Sequence, residues 1–518
     1  MAFSSKSKVM AVKKETTEGV VVDPVASDFM IVREGSALVG AVETTTSDEL
    51  RNSIGASKAF VTKEAPTGTF NRYLKTSGVE GQAPEDSPLY EAALGEVEVK
   101  STEISTVGGS TAGDSTTRAN IKVADGDIAA GDLKVGQCLL IKDGANGYSV
   151  RPVYSLDEGA SPDEVVLGFN LGTAPGSGIG LGKAIFWPTA DENQPTLSAH
   201  EYQSSTDNSA YHLSQGGVRT NSISLDYPAN DLATATFEVG GINFSENPIR
   251  ITATNKFIDF TDGTGTVVAT LDEGYYQTPI HLADAIAAKM TSASAPSDAD
   301  IITCTFNNSD GKFTIASDGT VLSLLWDTGT NTANSVATTI GFDNAADDTG
   351  ALTYTSDNAQ TYGPGVTPTY DDSDPRVVKD NMLLLGDFDE YICFDGQAFN
   401  ITINTPKTDV PSWCPASGID ESAILAREVP ITGTLKFKKH DSSRTYKMLN
   451  NETISLMFVQ GKKSGGNWVP GSVDATWCPE VSITTKNIVD NDGYVVEEFA
   501  GTAIVGTAGL QDVYRTQL

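Results

Sequence analysis

Apolar and polar residues alternate along much of the chain, with the period of two that marks strands buried on one face and wet on the other. The clearest case is "SISLDYPANDLATATFEVGG", ending at Gly241, which reads as strand, turn and strand. The stretch "EVSITTKNIVDNDGYVVEEFAG", ending at Gly501, has the same form, with acids interleaved among valines and a phenylalanine. Helical periods are few and short. "SPLYEAAL" reads as a helix with Ser87 as N-cap and Pro88 at its first position. "SSRTYKMLNN" reads as a second, capped by Ser442 or Ser443 and leaving through asparagine. In "TPIHLADAIAAKM", Thr278 caps a third helix, Pro279 takes its first position, and Ile280, Ala283, Ala287 and Met290 fall on one face. A stripe of that kind is core-facing.

The chain repeats itself. "EAPTGTFNRYLK" begins at Glu64 and "EVPITGTLKFKK" at Glu428; both carry Thr-Gly-Thr and end an alternating run in lysine. Upstream of each lie a strand, a long polar loop (residues 43–62 and 405–427) and a short apolar run. Downstream of each come one of the short helices and then one of the strand–turn–strand endings. Gly68 to Gly241 spans 173 positions and Gly433 to Gly501 spans 68, so the first copy is longer by about 105. The surplus lies around residues 105–195 and includes "GDLKVGQCLLIKDGANGYSVRPVY", a hairpin with glycine-containing turns. Between the copies, residues 249–362 hold two hairpins on Asp-Gly turns flanking the Thr278 helix, the order of a compact α+β module. "YGPGVTPTYDDSDP" then reads as a proline-rich acidic linker.

Composition agrees with a β-rich, turn-rich protein. At 518 residues the chain is too long for one ordinary core, and 39% hydrophobic content with 20% charged residues reads as globular. The formal net charge of −33, from 68 acidic and 35 basic residues, is the wrong sign for a protein that binds nucleic acid by neutralising phosphates. It suits a solvated surface, or one that must not adhere to DNA or an anionic membrane. No apolar core of a leader peptide stands at the N-terminus, and no run of about 18 apolar residues stands anywhere, so neither a signal peptide nor a membrane span is expected. Five scattered cysteines read as reduced thiols.

Candidate chemistry is sparse. His200, His212, His281 and His440 form no pair with metal-ligand spacing. "GSGIGLG" at Gly176 breaks both phosphate-loop patterns and reads as a turn. The acidic runs "DNAADDTG" from Asp343 and "YDDSDP" from Tyr370 lack the ordered ligands of a calcium loop. No Gly-x-Ser-x-Gly elbow occurs. The expectation is therefore a protein that is not an enzyme, with no catalytic, cofactor-binding or metal-ligating residue to assign and no cofactor.

"FNRYLKTSGVEGQAPEDSPLYEAALG", Phe70 to Gly95, resembles a segment of the major tail tube proteins of long non-contractile-tailed bacteriophages. "NSISLDYPANDLATATFEVGG", "PITGTLKFKK" and "WVPGSVDATWCPEVSITTKN" resemble further strands of that family, in its order. The likeness covers about half the chain and leaves out both inserts. It implies a mainly β fold: two tandem tail-tube β-sandwich or barrel domains, each with a short flanking helix, plus a β insertion and a small α+β module. The implied division is a first tube fold in 1–104 plus 196–248, a β insertion in 105–195, an outward-projecting module in 249–362, a linker in 363–379 and a second tube fold in 380–518.

The resemblance also implies a function. The chain would be a structural subunit of the virion tail, assembled in the host cytoplasm, polymerising into stacked rings around a channel that conducts the genome during ejection. Two tube folds in one chain imply rings of three chains that imitate six places, with rings of six as the other possibility. Implied partners are further copies of itself and the tail terminator, tape-measure and tail-tip proteins. DNA would pass through the lumen without specific binding, and no membrane anchor is implied. A tail-tip or baseplate ring protein, or a phage protein that binds the host surface, is the alternative. By resemblance the loops at 43–62 and 405–427, residues 46–56 among them, would reach the next ring. Asp226 and Glu497 would be acids facing the lumen.

Overall fold

The computed structural model describes residues 7–47, 58–108, 119–190, 194–204, 210–263, 265–294, 300–371, 373–378, 381–414, 417–438, 442–491, 493–506 and 509–518. In chain order the first part contributes β1 (Lys8–Lys14), β2 (Ala37–Val39), the paired β3 (Val42–Thr46) and β4 (Ala59–Glu64), β5 (Thr67–Tyr73) and α1 (Ser87–Leu94). It continues with β6 (Ala184–Trp187), β7 (Leu197–Ser204), β8 (Ala210–Pro228) and β9 (Thr234–Gly240). Helix α2 (Pro279–Ser294) lies in the middle block. The last part holds β10 (Gly396–Asn404), the paired β11 (Lys407–Pro411) and β12 (Ile419–Ile424), β13 (Val429–Lys436) and α3 (Ser443–Asn450). It ends with β14 (Thr453–Ser464), β15 (Asn467–Asn491), β16 (Tyr494–Ile504) and β17 (Tyr514–Gln517). The fold is mainly β, in several sheets.

Strand order is the same at both ends of the chain. β2, β5, β9 and β8 are neighbours in that order, and so are β10, β13, β16 and β15, all antiparallel. The two sets then join. β8 pairs with β10 from Ser222 opposite Asn404 to Pro228 opposite Ala398, so eight strands run side by side without a break. The repeated Thr-Gly-Thr lies in β5 and β13, the second strand of each set. Its glycine has a physical reason: a Cβ on Gly68 would overlap Leu38, and one on Gly433 would overlap Phe499. Each neighbour folds its side chain over the bare backbone.

The helices correct the sequence reading in detail. Asp86, not Ser87, is the N-cap residue of α1, so Ser87 and Pro88 are its first two positions; Leu89, Tyr90, Ala92, Ala93 and Leu94 are buried. α3 follows Ser442 and leaves through Asn451 in the left-handed region, φ 55°. In α2 the Thr278 hydroxyl accepts from the His281 N–H at 3.1 Å, the expected cap. The buried face is Leu282, Ala283, Ile286 and Met290, while Ile280 is exposed and Ala287 only packs at the edge. Positions 282, 286 and 290 keep the i, i+4 spacing that Ile280 breaks.

The surplus of the first part forms its own six-stranded sheet, running between Ile104–Ser105 and Gly180–Leu181, with Cys138–Ile141 and Ser149–Asp157 as the expected hairpin. It closes at Leu181, earlier than residue 195, because β6 already belongs to the large sheet and pairs with β17. The block 249–362 has a separate core that includes Ile258, Phe260, Leu282, Ile286, Met290 and Trp326.

The end of the chain ties the two parts together. β17 lies between β6 and β15 and pairs with both. It carries Arg515, fully buried, to Asp474 at 3.0 Å and over the ring of Tyr90 at 4.3 Å. The Tyr227 hydroxyl donates to Asp474 at 3.4 Å. Tyr90 and Tyr227 belong to the first part, Asp474 and Arg515 to the last. A buried charge left without its partner is expensive, whereas an apolar replacement of both is tolerated. Asp474→Ala should therefore lower unfolding free energy by about 3–5 kcal/mol in urea titration, and the double variant Asp474→Leu, Arg515→Met should recover most of that. A loss below about 1 kcal/mol for the single variant would show that the pair does not hold the parts together.

Candidate functional site

The eight-strand run has two faces of opposite character. Its back carries Phe70, Ile223, Phe237, Ile401, Ile431 and Phe499, all in one core shared by both repeats. Its front carries small hydroxyls and amides. Thr67, Thr69 and Asn71 stand on β5, Ser222 and Ser224 on β8, Asn400 and Thr402 on β10, and Thr432 and Thr434 on β13, none of them buried. Cross-strand bonds hold them in place: Thr236 Oγ1 to Asn71 Oδ1 at 3.0 Å, Ser222 Oγ to Asn404 Oδ1 at 3.2 Å, and Asn400 Nδ2 to Ser224 Oγ at 3.2 Å. Charge is sparse on this face: Asp226, Glu238 and Glu498 stand there with Lys436. Partial burial pushes the Asp226 carboxyl up from its ordinary value, opposed by hydrogen bonds from the Tyr227 N–H and the Asn400 side chain.

Of the two acids expected to face a lumen, Asp226 stands on this front face and Glu497 does not. Glu497 is fully buried on the back, 2.6 Å from the Arg444 guanidinium of α3 and 3.6 Å from Lys486. Its neighbour Glu498 takes the front. The pleat has a period of two, so a slip of one residue exchanges the faces.

The ends of the run are unequal to its middle. Glu238 lies opposite Thr69 and Ser222, and Glu498 lies opposite Thr434 and Asn487, so Ile223 on β8 matches Ile488 on β15. Likewise Val39 lies opposite Thr67 and Asn400 opposite Thr432, so Ile403 on β10 matches Val42. At the internal junction Ile223 and Ile403 face each other, both 0% exposed. Their matches Ile488 and Val42 are 57% and 44% exposed. Each open edge of the run thus bears one half of the contact that its middle completes.

The segments read as polar loops at 43–62 and 405–427 instead contain two-stranded ribbons, β3–β4 and β11–β12; β3 and most of β4 are exposed, whereas β12 buries Ile419, Ser422 and Ile424 at a spacing that gives no alternation. Residues 48–57, most of the 46–56 stretch, and residues 415–416 lie outside the described residues. The ribbons lie side by side at one end of the run: the Glu64 N–H donates to the Ser417 carbonyl at 2.9 Å and Lys63 reaches Asp409 at 3.1 Å. They carry exposed apolar side chains, Phe60 and Val61 on one, Leu425 and a fully exposed Trp413 on or beside the other. At the opposite end of the run Tyr446 and Leu449 on α3, with Tyr494 and Val495 at the start of β16, are also exposed.

His200 and His212, unpaired by spacing, meet across β7 and β8: Nδ1 of His200 is 3.0 Å from Nε2 of His212. β7 sets His200 opposite Ser214 and Tyr202 opposite His212, so the two rings meet on the diagonal of one face. Among the described residues no group of three or more His, Cys, Asp or Glu is placed to hold a metal ion.

No family model matches the chain, and no curated protein matches it by sequence. Among solved structures it is similar to the mavirus penton protein, with 11% identity over 61% of this chain and 90% of that one and a TM-score of 0.17. An overlap of that size carries no argument about function.

The register has a direct test. Glu497→Ala strands the buried Arg444 charge and should cost about 3 kcal/mol or more in urea titration, while Glu498→Ala should change stability by less than about 0.5 kcal/mol. A larger loss for Glu498→Ala than for Glu497→Ala would place the acids the other way round, and equal losses would overturn the register.

Proposed function

We propose that this chain is a structural subunit that closes into rings through its two open strand edges, and that stacked rings form a virion tail tube conducting DNA. The observation that carries the reading is the matched pair of Ile488 and Val42, exposed where Ile223 and Ile403 are buried. The β8–β10 junction supplies the template. β15 of one chain receives residues 39–43 of the next, with Asn487 opposite Glu43, Val489 opposite Ala41 and Asn491 opposite Val39. Such a contact is head-to-tail, and head-to-tail contacts close into rings when the rotation allows.

Size selects the number of chains. Three chains bring roughly 24 strands, which at about 4.8 Å apart close at a backbone diameter of about 37 Å. With roughly 5 Å of side chain on each wall, this leaves roughly 27 Å, enough for a double helix roughly 20 Å across. Two chains would close at about 24 Å between backbones, too narrow once side chains are counted. The front face then lines the channel. Its threonines and asparagines hold water, and its acids repel phosphate, whereas a basic lining would bind the polymer and slow it. The ribbons with Trp413 stand at one end of the run and α3 at the other, so a ring stacked on the next brings exposed apolar groups together. The 249–362 block, with its own core, projects outward as decoration, since a module of that size would obstruct the channel.

Ile488→Asp should leave a folded chain of unchanged melting temperature that forms no rings in electron micrographs, because the edge bears a charge where an apolar partner must seat. With Ala41→Cys and Val489→Cys in one chain, oxidation should give a ladder that ends at three chains. Rings from the Ile488→Asp variant, or a cysteine pair that never cross-links assembled protein, would overturn the edge contact. Trp413→Ser should allow rings and prevent tubes; full-length tubes from it would remove Trp413 from the stacking contact.

A further inference from the structure

Six polar side chains meet in the seam between the two parts, behind the sheet. Arg72 on β5, Asp86 at the cap of α1 and Tyr90 on α1 come from the first part. Gln460 on β14, Asp474 on β15 and Arg515 on β17 come from the last. Gln460 lies opposite Asp474, and Arg515 lies opposite Thr476, two residues along β15, so these three share one face. The Arg515 guanidinium stands over the Tyr90 ring at 4.3 Å, which brings the two groups together. None of the six is more than 3% exposed.

Polar groups buried that deeply are ordinarily hydrogen-bonded. Here many of their atoms have no such partner in the protein: both carboxylate oxygens of Asp86, Nε and Nη1 of Arg72, the Tyr90 hydroxyl, both amide atoms of Gln460, Oδ1 of Asp474, and Nε, Nη1 and Nη2 of Arg515. Arg515 Nη2 lies 3.0 Å from Asp474 Oδ1 but out of line for a hydrogen bond. Arg72 Nε is 3.9 Å from Asp86 Oδ2, too far for one. Each buried group left unmet lowers the folding equilibrium constant by at least about fivefold. Eleven of them together would offset the stability of an ordinary domain.

The atoms are a mixture of donors and acceptors, and that mixture identifies what completes them. An anion accepts from the guanidiniums but repels Asp86. A cation suits the carboxylates but meets the guanidiniums with like charge. Water donates to one kind and accepts from the other. Burial pushes the Tyr90 phenol well above its ordinary range, so it keeps its proton and both donates and accepts. The 3.9 Å gap between Arg72 and Asp86 is one that a single bridging water spans. Water also has a way in. Arg72 Nη2 donates to Glu85 Oε2 at 2.8 Å, and Glu85 lines an open cleft of about 590 Å³ with Ser87 and Asp371.

We propose that the seam holds a cluster of ordered water, about four molecules at about three bonds each, that bridges Arg72, Asp86 and Tyr90 of the first part to Gln460, Asp474 and Arg515 of the last. This water is part of the join between the repeats. It supplies the hydrogen bonds that the two walls do not make to each other, and it ties together groups that do not touch.

Tyr90→Phe tests this in the full chain, because it keeps the ring beneath Arg515 and removes one oxygen. A dry, unmet hydroxyl weakens the fold, so its removal would raise the folding equilibrium constant. A hydroxyl bonded to water is lost at a cost, and the constant should fall about fivefold in urea titration. A density map of the full chain that resolves ordered water should show peaks in the seam within about 3.2 Å of groups from both parts. The Tyr90→Phe map should lose the peak nearest position 90 and keep the rest. The water cluster is overturned if Tyr90→Phe is as stable as wild type or more so, if no peak bonds to both parts because the six side chains bond one another directly, or if the density in the seam is a coordinated ion.

Discussion

The antiparallel pairing of β8 with β10 is the contact on which the rest of the structure depends. It converts two sets of four strands into one sheet with a single core behind it, in which Phe70 and Phe237 of the first repeat and Ile401, Ile431 and Phe499 of the second are members together. Fully burying an aliphatic side chain is worth about 1.5–3 kcal/mol, so the Ile223–Ile403 contact and its neighbours make the join a part of the fold rather than a tether between domains. β17 closes the same join from behind, carrying Arg515 to Asp474 beneath Tyr90 and Tyr227.

A join of that kind has a consequence at its ends. A sheet of repeated units has twice as many half-contacts as units, and an open row leaves two of them unused. Natural sheets blunt exposed edges with charge, proline or bulges. Here Ile488 and Val42 remain apolar and exposed at positions matched to a buried pair. The polar front, by contrast, is finished: its hydroxyls and amides are bonded across strands and its few charges are mostly acids. Edges that ask for a partner and a face that asks for water are what a ring with an aqueous bore requires.

Much of this architecture was legible in the sequence. The repeated Thr-Gly-Thr marked equivalent strands because each glycine is covered by a neighbour's side chain, a constraint that acts on residue identity. Strong alternation placed β8, β9, β15 and β16, and Thr278 with Pro279 placed the start of α2. Less was legible where burial did not write a pattern. β3 and β4 are exposed along most of their length, and the buried Ile419, Ser422 and Ile424 of β12 are spaced by three and then two, so neither ribbon writes a strand alternation and both read as loops. Glu497 and Glu498 are adjacent acids, and only cross-strand register decides which one meets Arg444. Ile280 looked like core by its spacing from Ala283, Ala287 and Met290, but it stands off the Leu282–Ile286–Met290 line. The open edges could not be read at all from sequence, since an exposed isoleucine is identified only against its buried counterpart in the folded chain.

The most direct test of the account is an electron cryo-microscopy reconstruction of the purified full-length protein after assembly. The expected result is rings of three chains with β15 of each paired to residues 39–43 of the next, Ile488 against Val42, and Thr432, Asn400 and Glu498 facing a central bore that admits duplex DNA. A protein that remains monomeric, or a ring whose bore is lined by the α1 and α3 side of the sheet with the Ile488 edge unpaired, would contradict it.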